Sequence, residues 1–304
     1  MANIRKSFTP VFLLFLICAF FLFGCSSPGQ PTLVSSPVPI PTETSFIQAP
    51  TAEIKPTQQN RLIIQCSQPG QVLQLKIQSA KLKDRLIFNV YFPPCYGNGV
   101  QDSYPALYLL HGQTYDQTQW QNLGLLKYAD QIIQSGRTIP FLIVMPFEQF
   151  FYRSPDGNTY PKALTDELIP WVETNLHASP QKLWRAIGGI SRGASWAMHL
   201  GLQRFDLFGA IGNHSLPTFN GDLKQLPERL EAIPADQLPR IYIDIGRSDP
   251  EVETAIKFEQ VLNQHGIPNE WHLNEGRHNE DYWRLHVQEY LDWYTLPWRI
   301  IPGQ

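Results

Sequence analysis

The stretch Lys182-Leu183-Trp184-Arg185-Ala186-Ile187-Gly188-Gly189-Ile190-Ser191-Arg192-Gly193, continued by Ala194-Ser195-Trp196-Ala197-Met198-His199-Leu200, decides the fold. Its first half reads as a buried strand and its second half as a helix. The turn between them carries Gly-x-Ser-x-Gly. A serine on such a strand-to-helix turn adopts a strained backbone, and glycines two residues to either side let neighbouring chain pass close. The hydroxyl then projects from the top of a sheet, over the positive end of a helix dipole. The five-residue pattern recurs by chance, so its meaning comes from the strand before it and the helix after it.

The rest of the chain supplies a frame for that turn. Residues 71–79 alternate apolar and polar, as do residues 85–92 in part, and both read as exposed antiparallel strands. Residues 106–110, 141–146, 183–190, 208–212 and 240–245 are instead short continuous apolar runs, expected of strands covered on both faces. Helical patterns fall between them at 123–135, 164–176, 194–205, 223–233 and 252–265, followed by a strand at 269–274 and a helix at 281–295. Strands alternating with helices predict a mostly parallel, doubly wound sheet with helices on both faces, and no repeat or second folded domain.

The domain at 61–304 is preceded by two segments of different character. Residues 1–25 hold Arg5 and Lys6, then the apolar run Val11 to Phe23, too short to span the ~30 Å hydrocarbon of a bilayer. This reads as a signal for export. Leu22-Phe23-Gly24-Cys25 resembles a bacterial lipoprotein signal, which implies lipidation of Cys25 and a membrane-anchored location at the cell surface or in the periplasm. Residues 26–60 are rich in Pro, Ser and Thr and read as a disordered tether of extended character. A formal net charge of −3 argues against nucleic acid as a partner. With Cys18 and Cys25 assigned to the signal, Cys66 and Cys95 remain, and export permits a disulfide between them.

A serine hydroxyl needs a base, and the base needs an orienting acid. In a parallel sheet such groups gather where loops leave the C-terminal ends of strands. The loop after 240–245 reads Gly246-Arg247-Ser248-Asp249-Pro250 and offers Asp249 as the acid, or as the cap of the helix that follows. Asp244 lies inside the strand, where a carboxylate has no evident partner. The loop after 269–274 reads Glu275-Gly276-Arg277-His278-Asn279 and offers His278 as the base. A metal site from His272, His278 and His286 fits no familiar ligand spacing, so neither metal nor cofactor is expected. The oxyanion needs two N–H donors. These are expected from Arg192 and from Gln113, where Gly112 lets the chain turn after His111. Trp120 and Phe147 could line an acyl or aryl pocket, or could simply be packed.

Together these residues resemble the putative-esterase family of α/β-hydrolases, which includes esterase D-like enzymes, feruloyl and siderophore esterases, and mycolyltransferases. The resemblance is carried by Val90-Tyr91-Phe92-Pro93-Pro94-Cys95-Tyr96, by Tyr108-Leu109-Leu110-His111-Gly112 with Trp120, by Asp166-Glu167-Leu168-Ile169-Pro170-Trp171-Val172-Glu173, by Gly189-Ile190-Ser191-Arg192-Gly193 and by His278-Asn279-Glu280-Asp281-Tyr282-Trp283. It implies an α/β-hydrolase fold and an exported serine carboxylic-ester hydrolase, with Ser191 as nucleophile, Asp249 as acid and His278 as base. The substrate implied is a small-molecule or polymer-linked ester. Gln113 departs from the family, whose members often carry a small residue there. Residues 213–239 are too few for a large helical cap. Acyl transfer on the same site, or a binding module that keeps only the fold, are the alternatives.

Overall fold

The computed structural model describes residues 68–99, 101–153 and 155–300. The expected signal and tether, with Cys25 and with Cys66 of the expected disulfide, lie outside these residues. Eight strands form one sheet: β1 (Gln71–Ser79), β2 (Asp84–Phe92), β3 (Ala106–Leu110), β4 (Leu142–Pro146), β5 (Arg185–Ile190), β6 (Ala210–His214), β7 (Arg240–Gly246) and β8 (Glu270–Asn274). Their order is β1-β2-β4-β3-β5-β6-β7-β8. The pairs β1–β2 and β2–β4 are antiparallel, and every later pair is parallel.

Burial follows the sequence pattern. β1 is an edge strand with alternating exposed and half-buried residues, while β3, β4, β5 and β6 are buried throughout. Successive side chains of a strand point to opposite faces. Ala106, Tyr108 and Leu110 therefore enter one core layer, and Leu107 and Leu109 enter the other.

The helices are α1 (Gln119–Asn122), α2 (Leu125–Gln134), α3 (Tyr160–Ala163), α4 (Ile169–Asn175), α5 (Arg192–Gln203), α6 (Asp222–Glu231), α7 (Val252–Gln264) and α8 (Glu280–Tyr294). α2 and α8 cover the layer containing Leu107 and Leu109, whereas α4 to α7 cover the other. Helix α2 buries Leu125, Ala129, Ile132 and Ile133, a single stripe at helical spacing.

Several boundaries shift by a residue or two from the sequence pattern, and the strand expected at 183–190 begins at Arg185 because Lys182–Trp184 form a 3-10 turn. Three further shifts have a clear local reason. The helix expected at 123–135 begins at Leu125, because Gly124 takes φ +90° and breaks it from the single turn α1. The helix expected at 164–176 starts at Tyr160 and widens to a π-helix over Leu164–Leu168 before α4. Pro170, in the first turn of α4, has no N–H to donate, which favours such a widening. The strand expected at 208–212 runs to His214, because the buried Asn213 and His214 both find partners inside the sheet.

Strand β3 lies between β4 and β5, so the chain leaves β3 in one direction and β5 in the other. Loops from the C-terminal ends of two such strands diverge and leave a crevice between them, where ligands bind in open α/β sheets. The loop after β3 begins at His111, and the loop after β5 is the single residue Ser191.

Candidate active site

Ser191 sits between β5 and α5 with φ 55° and ψ −121°, outside the regions that side-chain-bearing residues favour. The strain is held by its surroundings. A Cβ on Gly189 would stand 2.2 Å from the carbonyl carbon of Gly193, and one on Gly193 would stand 2.3 Å from the carbonyl oxygen of Leu110. Both glycines of the motif are therefore required by close passage of backbone, one within the turn and one against β3. The preceding Gly188 answers a different need: its Cβ would collide with the Tyr294 hydroxyl at 1.6 Å.

Asp249 and His278 arrive on the loops after β7 and β8, the last two strands toward the sheet edge. A Cβ at Gly246 would lie 2.4 Å from the Gly276 carbonyl oxygen, so the loops after β7 and β8 touch at these glycines. Ser248 N–H donates to the same oxygen at 2.9 Å. Asn279 then caps α8 by accepting from Tyr282 N–H at 3.1 Å, which sets His278 just before the helix.

These contacts bring together the residues expected from the sequence. His278 Nε2 is 2.8 Å from Ser191 Oγ, and His278 Nδ1 is 2.8 Å from Asp249 Oδ2. A carboxylate only accepts, so Nδ1 carries the proton and Nε2 is left to accept from the serine hydroxyl. The Asp249 side chain is fully buried, and its other oxygen accepts from Glu251 N–H at 2.8 Å. The carboxylate thus faces the histidine and also holds the turn into α7. The Trp283 ring stands edge-on to His278 at 5.3 Å and donates from Nε1 to Ser215 Oγ at 2.9 Å.

The loop after β3 is equally fixed. Gln119 Oε1 accepts from Gly112 N–H at 2.7 Å, and the Gly112 carbonyl accepts from Tyr115 N–H at 3.1 Å. The next N–H along the loop belongs to Gln113. Arg192 occupies the first position of α5, where N–H groups lack an intrahelical acceptor, and the ladder begins with Ser195 N–H donating to Ser191 O at 3.1 Å. His111 is buried, with Nδ1 on Gly112 O at 2.7 Å and Nε2 accepting from Glu148 N–H at 2.9 Å. Burial pushes this imidazole below the usual histidine range, and a neutral ring satisfies both bonds with one tautomer.

Some expectations need correction. Trp120 is only 1% exposed and packs in the core, donating from Nε1 to Leu110 O at 3.1 Å. Its indole supports the end of β3 from within the core, the packed alternative. Phe147 is half-buried against the His111 ring at 5.5 Å. Asp244, read as lacking a partner, is fully buried with several. His214 Nδ1 lies 2.6 Å from Oδ1, while the Tyr282 and Tyr290 hydroxyls donate to Oδ2 at 2.8 and 2.6 Å. Burial first, and then the Asp244 charge, push both phenols above the usual tyrosine range, so they remain donors.

Sequence reasoning missed Gln119, Glu148 and His214. Glu148 lies in a loop of aromatic residues that gave no sign of a buried ion pair with Arg192. His214 could have been suspected, since it opposes Asp244 in the β6–β7 register, but that register exists only once the sheet is assembled. Among the described residues no group of histidines, cysteines and carboxylates could hold a metal ion. A hollow of about 530 Å³ lined by Gln71, Leu73, Phe92 and Tyr96 lies at the β1–β2 edge of the sheet, away from Ser191. The chemistry at Ser191 defines the candidate site, because that hollow has no comparable set of reactive side chains.

The family model described as "Putative esterase" matches residues 79–294. The chain belongs to the putative esterase family. The family's span runs from the end of β1 to the end of α8 and takes in Ser191, Asp249 and His278. Over 224 residues the chain is 31% identical to an endo-1,4-beta-xylanase/feruloyl esterase of Xylanibacter ruminicola, a match covering 69% of this chain and 29% of the relative. An esterase of Mycobacterium tuberculosis is 28% identical over 136 residues, 42% of this chain and 28% of that protein. The chain thus spans under a third of the length of these curated relatives.

Among solved structures, a ferulic acid esterase superposes with a TM-score of 0.65 at 21% identity, covering 75% of this chain and 98% of its own. A fluorophosphonate-binding serine hydrolase of Staphylococcus aureus gives 0.63 at 17% identity, covering 75% and 99%. At these identities the likeness shows the α/β-hydrolase fold.

Proposed function

We propose that the chain is a serine carboxylic-ester hydrolase working through an acyl-enzyme. The observation that carries this reading is the unbroken line from Asp249 through His278 to Ser191, with both contacts at 2.8 Å, at the switch point of a sheet of this family. His278 Nε2 takes the Ser191 proton as Oγ bonds to the ester carbonyl carbon. The amides of Gln113 and Arg192 hold the oxygen that becomes negative. Asp249 keeps the imidazole in the productive tautomer and stabilises the imidazolium. His278 then protonates the departing alcohol. Water, deprotonated by the same nitrogen, cleaves the acyl-enzyme.

Between β6 and β7 the chain holds only α6 and short connections, so among the described residues no cap domain is inserted there. An open cleft suits soluble or polymer-linked esters. Feruloyl esters come first for trial, because relatives and structural neighbours carry that activity in their names. Arg5, Lys6, the apolar run after them and Cys25 support export with a lipid anchor, which would place the site outside the cytoplasm. Cys66 and Cys95 would then be joined in an oxidising compartment.

The test is labelling by a fluorophosphonate probe, which bonds to an activated serine. Wild type is expected to label once per chain and Ser191→Ala not at all. Labelling that survives the substitution refutes the assignment, and absence of labelling in wild type favours a binding module. Comparing hydrolysis with alcoholysis of a chromogenic ester separates esterase from acyl transfer.

A further inference from the structure

Glu148 is joined to both segments from which the oxyanion donors come. It follows β4 and is 3% exposed. Its carboxylate accepts from Arg192 Nε at 2.9 Å and Nη2 at 2.7 Å, and from Trp196 Nε1 at 2.9 Å, with Asn158 Nδ2 at 3.4 Å. Its backbone N–H donates to His111 Nε2 at 2.9 Å, and the other ring nitrogen of that histidine holds Gly112 O at 2.7 Å. One side of Glu148 therefore ends on the residue before Gln113. The other side ends on Arg192, whose own N–H is the second donor.

Stability alone does not account for this arrangement. Replacing a buried ion pair by apolar residues is often neutral or stabilising, so the pair is weak evidence for a purely structural role. Here it grips the first helical residue, next to a serine in strained backbone, so it restrains the segment that carries the Arg192 amide. Arg192 Nη2 also reaches Arg153 O at 3.2 Å, which fixes the guanidinium from a second direction.

We propose that Glu148 is a positioning residue for ester hydrolysis, setting the separation of the Gln113 and Arg192 amides so that both meet the oxyanion. This rests on Ser191 being the nucleophile. Donors held in this way act on the tetrahedral intermediate more than on bound ester, so their displacement lowers kcat and leaves KM nearly unchanged. Loss of one oxyanion donor costs about 10²–10³ in kcat, and displacement of two without loss should cost roughly 10- to 100-fold.

The experiment measures kcat per titrated Ser191, KM for p-nitrophenyl acetate, and the inhibition constant of a phenylboronic acid, a tetrahedral mimic. Glu148→Gln keeps the shape and removes the charge, and is expected to lower kcat and boronate affinity together by roughly 10- to 100-fold, with KM within about twofold. Trp196→Phe removes one bond to Glu148 and keeps most of the ring, so it reads the same network if the first variant does not fold. It is expected to weaken both quantities about threefold. Arg192→Lys keeps a charge on Glu148 but not the paired contact, and should fall between wild type and Glu148→Gln. Boronate affinity and kcat within twofold of wild type in the folded variants overturn the inference, as does a loss confined to KM. If Ser191→Ala keeps its label, the nucleophile reading fails and this inference fails with it. If that label is lost while the Glu148 variants keep full kcat, only this inference falls.

Discussion

Gly246→Ala places one methyl group where the loops carrying Asp249 and His278 meet. The added Cβ would stand 2.4 Å from Gly276 O, short of ordinary contact at 3.4 Å by about 1 Å. Neither side yields cheaply. Gly246 is the last residue of β7, paired with Asn274 of β8, and Gly276 O also accepts from Ser248 N–H. The relaxation must therefore shift the short segment from Gly276 to His278 relative to Ser191. A misplacement of about 1 Å from the reacting geometry costs on the order of 10²-fold in rate, or ~2.7 kcal/mol in activation free energy. Overpacking of this size costs about 1–3 kcal/mol in stability, so the protein should still fold. The assay is kcat on a chromogenic ester per labelled serine, with urea unfolding beside it. Gly266→Ala is the control, because Gly266 takes φ +65°, so the change strains the backbone there, but its Cβ meets nothing within 4 Å. The control should lose about 1 kcal/mol of stability and no activity. A folded Gly246→Ala protein with kcat within threefold of wild type would refute the claim that this contact sets the histidine's position.

Asp249→Asn should keep KM and lower kcat by about 10⁴-fold, because the amide can donate to Nδ1 and select the wrong tautomer; steady-state kinetics check this. Asp244→Ala strips the acceptor from His214, Tyr282 and Tyr290 at once, and should cost at least about 3 kcal/mol in urea unfolding. The buried His111 gives a pH dependence of known sign. Burial lowers its folded pKa below the ordinary ~6.5, so the unfolded chain binds the proton more readily. Its contribution to stability is full above about pH 6.5 and is lost as pH falls through that value toward the folded pKa. His111→Gln should show a shallower loss of stability between pH 7 and pH 5, measured by unfolding at each pH; equal slopes would exclude the effect.

Much of the fold was legible in order. Continuous apolar runs mark strands covered on both faces, and five such runs became β3 to β7 with ends displaced by a few residues at most. The ends moved where a single residue changes backbone preference, as at Gly124, or where polar residues such as Asn213 and His214 continue a strand because partners await them. Ser191, Asp249 and His278, which the structure brings into contact, could be named because each follows a strand, and position along a parallel sheet is a local property. Trp120 was left open and Asp244 was misjudged for the opposite reason. Whether an indole lines a cleft or supports a strand end, and whether a carboxylate in a strand is orphaned, depends on side chains far away in the chain.

The amino-acid sequence by itself determined the succession of strands and helices, the strained turn at Ser191 and the two loops able to supply an acid and a base. These follow from hydrophobic period, from glycine at close passages and from the short reach of turns. Only the tertiary structure decided that Gly246 and Gly276 touch, that Gly188 makes room for Tyr294, and that Glu148 joins His111 to Arg192. Those contacts link residues distant in the chain. They arise from strand order and register, which come from packing the whole core and leave no local trace.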